Sequence, residues 1–143
     1  MLYAGTINPI PRKSFDQEAP NISVQSLAES ARDIRSHFSR PEVQGIGSTS
    51  DCGCDFPWVM LQNGGWPTSE DAEKDEWQKA SEHFNREMLV ELLRTINEDS
   101  LELYGIWAGD YAKEPQSREQ ISVERILDPG FFFKERGFYE VTL

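Results

Sequence analysis

A long amphipathic segment constrains this fold most, because its apolar stripe has to be buried against another layer of structure. Between residues 69 and 97, apolar residues recur every three or four positions, which is the spacing of one helix face. The stripe consists of Trp77, Ala80, Phe84, Met88, Leu92 and Ile96, and Leu89 and Leu93 widen its second half. Thr68 or Ser69 can cap the start of this helix. The segment predicts one helix of roughly 40 Å whose second half is the more deeply buried.

Short stretches on both sides of this helix predict β-strands, because they alternate apolar and polar residues or are rich in β-branched and aromatic ones. The stretches are residues 2–7, 22–27, 42–46, 56–61, 101–107, 119–121 and 138–143. The sequence Asn63-Gly64-Gly65 indicates a turn before the long helix. The aromatic run at residues 131–133 is expected to pack in the core.

Two shorter helices are also predicted. Residues 28–38 form the first, and Ser26 with Glu29 matches a capping box in front of it. Its apolar face consists of Leu27, Ala31, Ile34 and Phe38, at spacings of three and four. Residues 123–127 form the second, with Ser122 as a candidate cap.

Together these elements predict a single α+β domain covering residues 1–143. Strands and helices alternate too irregularly for a doubly wound parallel sheet. We therefore expect two layers, in which a mainly antiparallel or mixed sheet packs against the one long helix, with one or two short helices besides. A chain of this length can bury a core without help from disulfides.

The charge balance argues against nucleic acid and anionic membranes as partners. The chain has 25 acidic and 14 basic residues, for a formal net charge of −11, and its basic residues form no dense patch. Its longest uncharged run is far shorter than the roughly 20 apolar residues that span a bilayer. The first residues lack the pattern of a signal peptide. We expect a cytoplasmic protein that binds a protein partner or forms a homo-oligomer.

Both cysteines lie in one loop, residues 45–58, as Cys52-Gly53-Cys54. Residues two apart on an extended backbone face the same side, so both sulfurs can meet at one point. One interpretation is a metal site, because two thiolates are half of a tetrahedral zinc site. The other ligands would come from His37, His83, Asp51 and Asp55.

Two further interpretations of the cysteine pair stay open. In the first, the pair does redox or nucleophilic work; a disulfide here would close a very small ring, and strained disulfides are the labile ones. However, the flanking Asp51 and Asp55 oppose formation of a thiolate. In the second, the cysteines are small apolar residues that pack under Phe56 or Trp58.

Tryptophans provide a candidate ligand site. Trp107-Ala108-Gly109-Asp110 places an aromatic ring and a carboxylate at the end of a predicted strand, where they can form the rim of a pocket. Separately, the four tryptophans can line an apolar groove; they are Trp58, Trp66, Trp77 and Trp107. The alternative is a turn in which Asp110 bonds its own backbone, with the tryptophans in the core. No P-loop, dinucleotide-binding, HExxH or GxSxG motif occurs.

Three segments together carry a resemblance to a family of small uncharacterised bacterial proteins. They are the loop with Cys52-Gly53-Cys54-Asp55-Phe56, the strand segment with residues 102–110, reading ELYGIWAGD, and residues 132–139, reading FFKERGFY. The family loop favours glycine around the cysteines, whereas this chain has Asp51 and Asp55. The resemblance implies a bacterial cytoplasmic protein and supplies no activity.

We therefore expect a small soluble binding or interaction domain without catalytic activity. Its candidate ligand-binding residues are Trp58, Trp107 and Asp110. The alternative is a thiol-dependent protein, either metal-binding or redox-responsive, centred on Cys52 and Cys54. An enzyme with carboxylate chemistry ranks third, because no acid pair has a diagnostic spacing.

Overall fold

A mixed β-sheet forms the centre of the protein. The computed structural model describes residues 1–59 and 72–143, without the side chains of residues 72–78. Its strands are β1 (Leu2–Thr6), β2 (Ser23–Ser26), β3 (Glu42–Gly47), β4 (Ser100–Gly105), β5 (Ser117–Ser122) and β6 (Gly137–Thr142). They lie side by side in the order β2-β3-β1-β4-β6-β5. Neighbouring strands are antiparallel except for β5 and β6, which are parallel.

The long helix α1 (Ala72–Arg94) covers one face of this sheet. The sheet contributes Leu2, Ala4, Ile46, Leu101, Leu103, Tyr139 and Val141 to the shared core, and the helix contributes Leu89, Val90 and Leu93. This arrangement confirms the predicted α+β fold, in which a mixed sheet packs on one long helix. The second half of the helix is the more deeply buried, as predicted, whereas Ala80 in the first half and Phe84 near the middle are exposed.

A 3₁₀ helix at Glu29–His37 covers part of the opposite face, where we predicted an ordinary helix over residues 28–38. Its buried residues are Ala31, Ile34 and His37, which recur every three positions. A 3₁₀ helix has three residues per turn, so this spacing places all three on one side.

The predicted capping box does not form, because Ser26 is the last residue of β2 and pairs with Gln44 of β3. Ala28 takes the N-cap position of the 3₁₀ helix instead, without a side-chain hydrogen bond. The second short helix, predicted over residues 123–127, is a 3₁₀ helix at Val123–Leu127. Ser122 stands at its N-cap position but makes no capping bond with its side chain.

Most strand predictions are confirmed within a residue or two. The exception is residues 56–61, whose described part contributes only a single bridge, between Trp58 and Phe133. Three predicted features lie outside the described residues: the Asn63-Gly64-Gly65 turn, the caps at Thr68 or Ser69, and the side chains of Trp66 and Trp77. Of the described helices, none combines enough length and apolar character to cross a bilayer.

Candidate functional site: a cysteine ring beside a tryptophan cleft

The chain leaves β3 through a tight turn that carries the two cysteines. The amide of Asp51 donates to the Ser48 carbonyl at 2.9 Å, and the amide of Ser48 donates to the Cys52 carbonyl at 3.1 Å. Cys52 and Cys54 are joined by a disulfide, which closes a ring around Gly53. Cys54 is exposed and Cys52 is half-buried. The ring therefore presents a sulfur to solvent at the edge of the fold.

Hydrogen bonds to two neighbouring elements, β2 and α1, hold this loop in place. The Asp51 carboxylate accepts from the Ser23 hydroxyl at 2.8 Å and from the side-chain amide of Gln25 at 2.9 Å, which ties it to β2. From α1, the side-chain oxygen Oδ1 of Asn85 accepts from the backbone amide of Thr49 at 2.9 Å and from its hydroxyl at 3.0 Å. These bonds make Asp51 a structural anchor of the loop.

Asp55, the second acid beside the cysteines, is bound within the loop. Its carboxylate accepts hydrogen bonds from the hydroxyls of Ser50 and Ser48. Both flanking acids therefore have hydroxyl partners in the loop or on the neighbouring strand. In the disulfide state the sulfurs offer no thiolate to a metal ion.

The cysteine ring packs directly on the backbone of β1, which explains the glycine between the two cysteines. A Cβ atom added at Gly53 would lie 2.9 Å from the Met1 Cα and 3.1 Å from the Leu2 nitrogen. Both are backbone atoms, so no side chain could move to make room. The Gly53 carbonyl accepts from the Trp58 indole N–H at 2.8 Å, which links the ring to the next feature.

A cleft lies beside the ring; we call it the tryptophan cleft. Its volume is about 300 Å³, and it is lined by Trp58, Val59, Trp107, Lys134 and Glu135. Trp58 is 5% exposed and forms the floor, whereas Trp107 and Val59 are 40% and 39% exposed. An indole this exposed is unusual, because large apolar side chains are mostly buried.

Backbone bonds to the aromatic run place Trp58 and Val59 in the cleft wall. The Phe133 amide donates to the Pro57 carbonyl at 2.7 Å, and the Val59 amide donates to the Phe133 carbonyl at 2.9 Å. The rings of Trp58 and Phe133 are 5.8 Å apart. Phe131 and Phe133 are buried in the core, as predicted.

Gly105, at the end of β4, lets the Trp58 ring approach the sheet closely. A Cβ atom added there would lie 2.6 and 2.8 Å from two carbons of the Trp58 ring. Real Cβ atoms essentially never come this close to another heavy atom. The cleft floor therefore depends on a glycine at this position.

Glu135 fixes the other wall. Its Oε1 accepts from the Trp107 amide at 3.1 Å, and the neighbouring Arg136 amide donates to the Gly105 carbonyl at 2.7 Å. The carboxyl is half-buried, and this burial raises the pKa of Glu135. Nearby Asp110 adds to the rise through charge repulsion.

Lys134, the residue before Glu135, is held through its backbone. Its amide donates to the Tyr139 hydroxyl at 2.7 Å, and burial raises the pKa of Tyr139 to about 12. That hydroxyl therefore stays neutral at physiological pH. The segment carrying Lys134 and Glu135 is thus fixed to β6 as well as to β4.

Asp110, a predicted ligand residue, lies in a turn and is not among the residues lining the cleft. Its amide donates to the Trp107 carbonyl at 3.2 Å, and its carboxylate pairs with the Lys113 ammonium at 2.8 Å. These contacts agree with the alternative interpretation of the segment as a turn.

The two histidines lie apart from the cysteine ring. His37 is buried; its Nε2 bonds the Tyr111 carbonyl at 3.0 Å, and its ring lies edge-on to Tyr104. His83 is exposed on α1 and lies 3.4 Å from Glu87. Within the described residues, no group of three or more His, Cys, Asp or Glu side chains could hold a metal ion.

Sequence reasoning identified Trp58 and Trp107 but missed Val59, Lys134 and Glu135, the other residues lining the cleft. In the sequence, Lys134-Glu135-Arg136 is a charged segment that fits a turn or an edge. For Lys134 and Glu135, the only sequence signal is a charged pair directly after an aromatic run, which equally fits an ordinary surface turn.

Comparisons of the chain with protein-family models, with curated proteins and with solved structures found no match. The function therefore has to be inferred from the chemistry of the tryptophan cleft and the cysteine ring.

Proposed function

We propose that this chain is a cytoplasmic binding protein, and that a protein partner inserts one flat apolar side chain into the tryptophan cleft. The observation that carries the proposal is Trp107, an indole that is 40% exposed and lines the same cleft as a second, buried indole. Exposed aromatic residues in a preformed recess are typical anchor sites of protein–protein recognition. The cleft is preformed, since backbone hydrogen bonds hold both walls.

The size of the cleft favours a side chain over a whole metabolite. Its volume of about 300 Å³ is at the lower end of the range for small-molecule sites. One aromatic or long aliphatic side chain fits such a space. Filling it would remove the exposed faces of Trp107 and Val59 from water, which is the main favourable term in such binding.

The polar groups of the cleft favour binding over catalysis. The Lys134 ammonium lies 2.6 Å from the Glu119 carboxylate, and one oxygen of Glu135 is bonded to the Trp107 amide. Among the described residues that line the cleft, none carries a hydroxyl, thiol or imidazole that could act as a nucleophile beside a base.

Fluorine NMR of the full chain labelled with 5-fluorotryptophan tests the proposal. The four tryptophans give four signals, and single Trp→Phe variants assign them. The probe is a capped glutamine-tryptophan-glutamine peptide, which is neutral and carries one unlabelled indole. We expect saturable shifts of the Trp58 and Trp107 signals.

Two alanine variants serve as a matched pair. Trp107→Ala should lower the affinity for the peptide about tenfold, the magnitude expected for loss of one aromatic contact. Phe84→Ala removes the exposed aromatic of α1, which is outside the cleft, and should leave affinity unchanged. If no signal shifts, or both variants weaken binding equally, the cleft is not the binding site.

A second candidate function is a redox response at the cysteine ring. The observation favouring it is the disulfide between Cys52 and Cys54 in a partly exposed loop. In a reducing compartment, disulfides are usually transient, catalytic or redox-sensing. The pairing favours a redox role over a metal role, because a metal would need both sulfurs as thiolates.

The reaction would be exchange with a dithiol reductant. A thiolate of the reductant attacks one ring sulfur, the other ring sulfur leaves and takes up a proton, and a mixed disulfide forms. The second thiol of the reductant then displaces the first ring cysteine, which also takes up a proton. Two electrons pass to the protein, and the reductant ends as its own disulfide.

Equilibration with glutathione tests this candidate. The intact protein is incubated in a buffer poised at about −240 mV, quenched with an alkylating agent and weighed by mass spectrometry. A redox-responsive ring should be substantially alkylated at both cysteines, whereas protein returned to excess oxidised glutathione before the quench should keep its unmodified mass. A ring that stays closed at this poise is structural, since structural disulfides lie below about −300 mV.

A further inference from the structure

We propose that the segment filling the tryptophan cleft carries a positive charge beside its apolar side chain, so that the partner is a basic protein and Glu135 selects it. This inference rests on the proposed binding function and names the chemistry of the partner. The charges around the cleft and the net charge of the chain support a basic partner.

Glu135 is the first observation. Its half-buried carboxylate stands in the wall of the cleft, with Oε1 fixed by the Trp107 amide at 3.1 Å. Among residues 1–59 and 79–143, no side-chain cation forms an ion pair with it. A cation brought into the cleft therefore finds a positioned carboxylate with a free oxygen.

The other charges near the cleft are already matched. Lys134 pairs with Glu119 at 2.6 Å, and Lys113 pairs with Asp110 at 2.8 Å. The guanidinium of Arg136 donates twice to the Glu114 carbonyl, at 2.9 and 2.8 Å. The Met1 ammonium and the Arg136 guanidinium favour the charged form of Glu135 without forming an ion pair with it, so among the described residues lining the cleft Glu135 offers an unpaired carboxylate.

The charge of the whole chain points the same way. A net charge of −11 steers cationic partners toward the surface and repels anionic ones. It also disfavours a second copy of this chain as the occupant, because two such copies repel each other. A basic segment matches both the local carboxylate and the long-range field.

Three capped tripeptides with the same central tryptophan test the inference. Their flanking residues are two lysines, two glutamines or two glutamates, so they differ in charge while sharing the anchor. At about 0.1 M salt, where the screening length is about 10 Å, we expect the lysine peptide to bind about fivefold more tightly than the glutamine peptide. The glutamate peptide should bind more weakly than either.

Two charge-neutralising variants separate the local carboxylate from the net charge. Glu135→Gln keeps an oxygen for the Trp107 amide and should reduce the ratio of lysine-peptide to glutamine-peptide affinity to about one. Glu91→Gln changes the net charge equally on the exposed face of α1 and should keep the fivefold ratio.

The outcomes distinguish the two proposals. If the glutamine peptide shifts the Trp58 and Trp107 signals but the lysine peptide binds no more tightly, the basic-partner inference is wrong and the cleft still binds. If both variants lower the ratio equally, Glu135 does not select the partner. If no peptide shifts these signals, the binding function itself fails. Sedimentation at the same concentrations must show a monomer, since self-association through the cleft would overturn the inference.

Discussion

At the scale of single residues, Gly105 decides whether the tryptophan cleft has a floor. It ends β4 on the face that packs against Trp58, and the indole lies where a side chain would otherwise be. Any added Cβ also meets the Lys134 carbonyl at 3.2 Å, so the opposite side offers no extra room. Gly105 does not have a positive φ, so its backbone conformation does not require glycine. The close packing of Trp58 does.

We predict that Gly105→Ala destabilises the protein by about 1–3 kcal/mol, the usual cost of overpacking a dense core. It should also move the fluorine signal of Trp58, which has to shift away from β4. Urea denaturation and the NMR spectrum measure the two effects.

Gly45→Ala is the matched control, because this β3 glycine has its nearest neighbour at 3.8 Å, an ordinary contact distance. Its stability should stay within about 0.5 kcal/mol of the parent. Equal losses in the two variants would show that strand glycines matter for another reason than contact with Trp58.

At the scale of elements, Arg86 joins α1 to the 3₁₀ helix at Val123–Leu127. The side chain is 3% exposed, and its Nη1 donates to the Ile126 carbonyl at 2.9 Å and to the Asp128 carbonyl at 3.2 Å. Its guanidinium carbon lies 5.1 Å from the centre of the Phe132 ring. Burial lowers the pKa of Arg86, yet the two carbonyls and the ring favour the cation.

Arg86→Met should lower the free energy of unfolding by about 2 kcal/mol, because it leaves two carbonyls without their charged donor while keeping the apolar stem. Hydrogen exchange should speed up in Val123–Leu127 before it does in β1. Arg94→Met is the control, since its partner Glu124 is exposed and such pairs are worth about 0–1 kcal/mol. A loss of stability in Arg94→Met as large as in Arg86→Met would contradict the role of Arg86 in joining α1 to the 3₁₀ helix.

At the scale of the whole molecule, excess negative charge opposes the fold. The net charge of −11 is spread over a compact chain, so the acidic side chains repel one another more in the folded than in the unfolded state. Exposed ion pairs act in the opposite direction, among them Arg32–Glu29, Lys113–Asp110 and Lys134–Glu119. Each is worth little in water, so repulsion dominates.

Sodium chloride should therefore stabilise the protein at pH 7. Raising the salt from about 0.1 M to about 1 M shortens the screening length from about 10 Å to about 3 Å and weakens the long-range repulsion. The urea midpoint should rise, and the rise should vanish near the sequence pI of about 4.6, where the net charge is small. A midpoint that falls with salt at pH 7 would mean that the ion pairs outweigh the repulsion.

Local patterns in the sequence predicted much of the architecture. In β4, Leu101 and Leu103 face the helix while Glu102 and Tyr104 face the other side, as their alternation indicates. In the second half of α1, Leu89 and Leu93, which widen the predicted apolar stripe, are fully buried, whereas Met88 and Leu92 of the stripe itself are only partly buried. Both signals depend on the fixed period of a strand or helix, so neighbouring residues suffice to reveal them.

Contacts between distant segments decided the rest. Whether the segment after Ser26 becomes an α-helix or a 3₁₀ helix depends on β2 pairing with β3, which keeps Ser26 extended and leaves Ala28 as the cap. Phe84 belongs to the apolar stripe of α1, but it is exposed because only the other side of the helix meets the sheet.

Local sequence patterns suffice to predict the α+β class, the faces of the strands and a chemically distinctive loop that carries both cysteines. The site itself depends on tertiary contacts, which bring the partly exposed Trp107, the buried Trp58 and Glu135, nearly thirty residues after Trp107, to one cleft. The physical reason is that periodicity acts within one element. A cleft instead depends on which strand ends lie side by side, and that is set by long-range pairing between β4, β6 and the turn at residues 133–137.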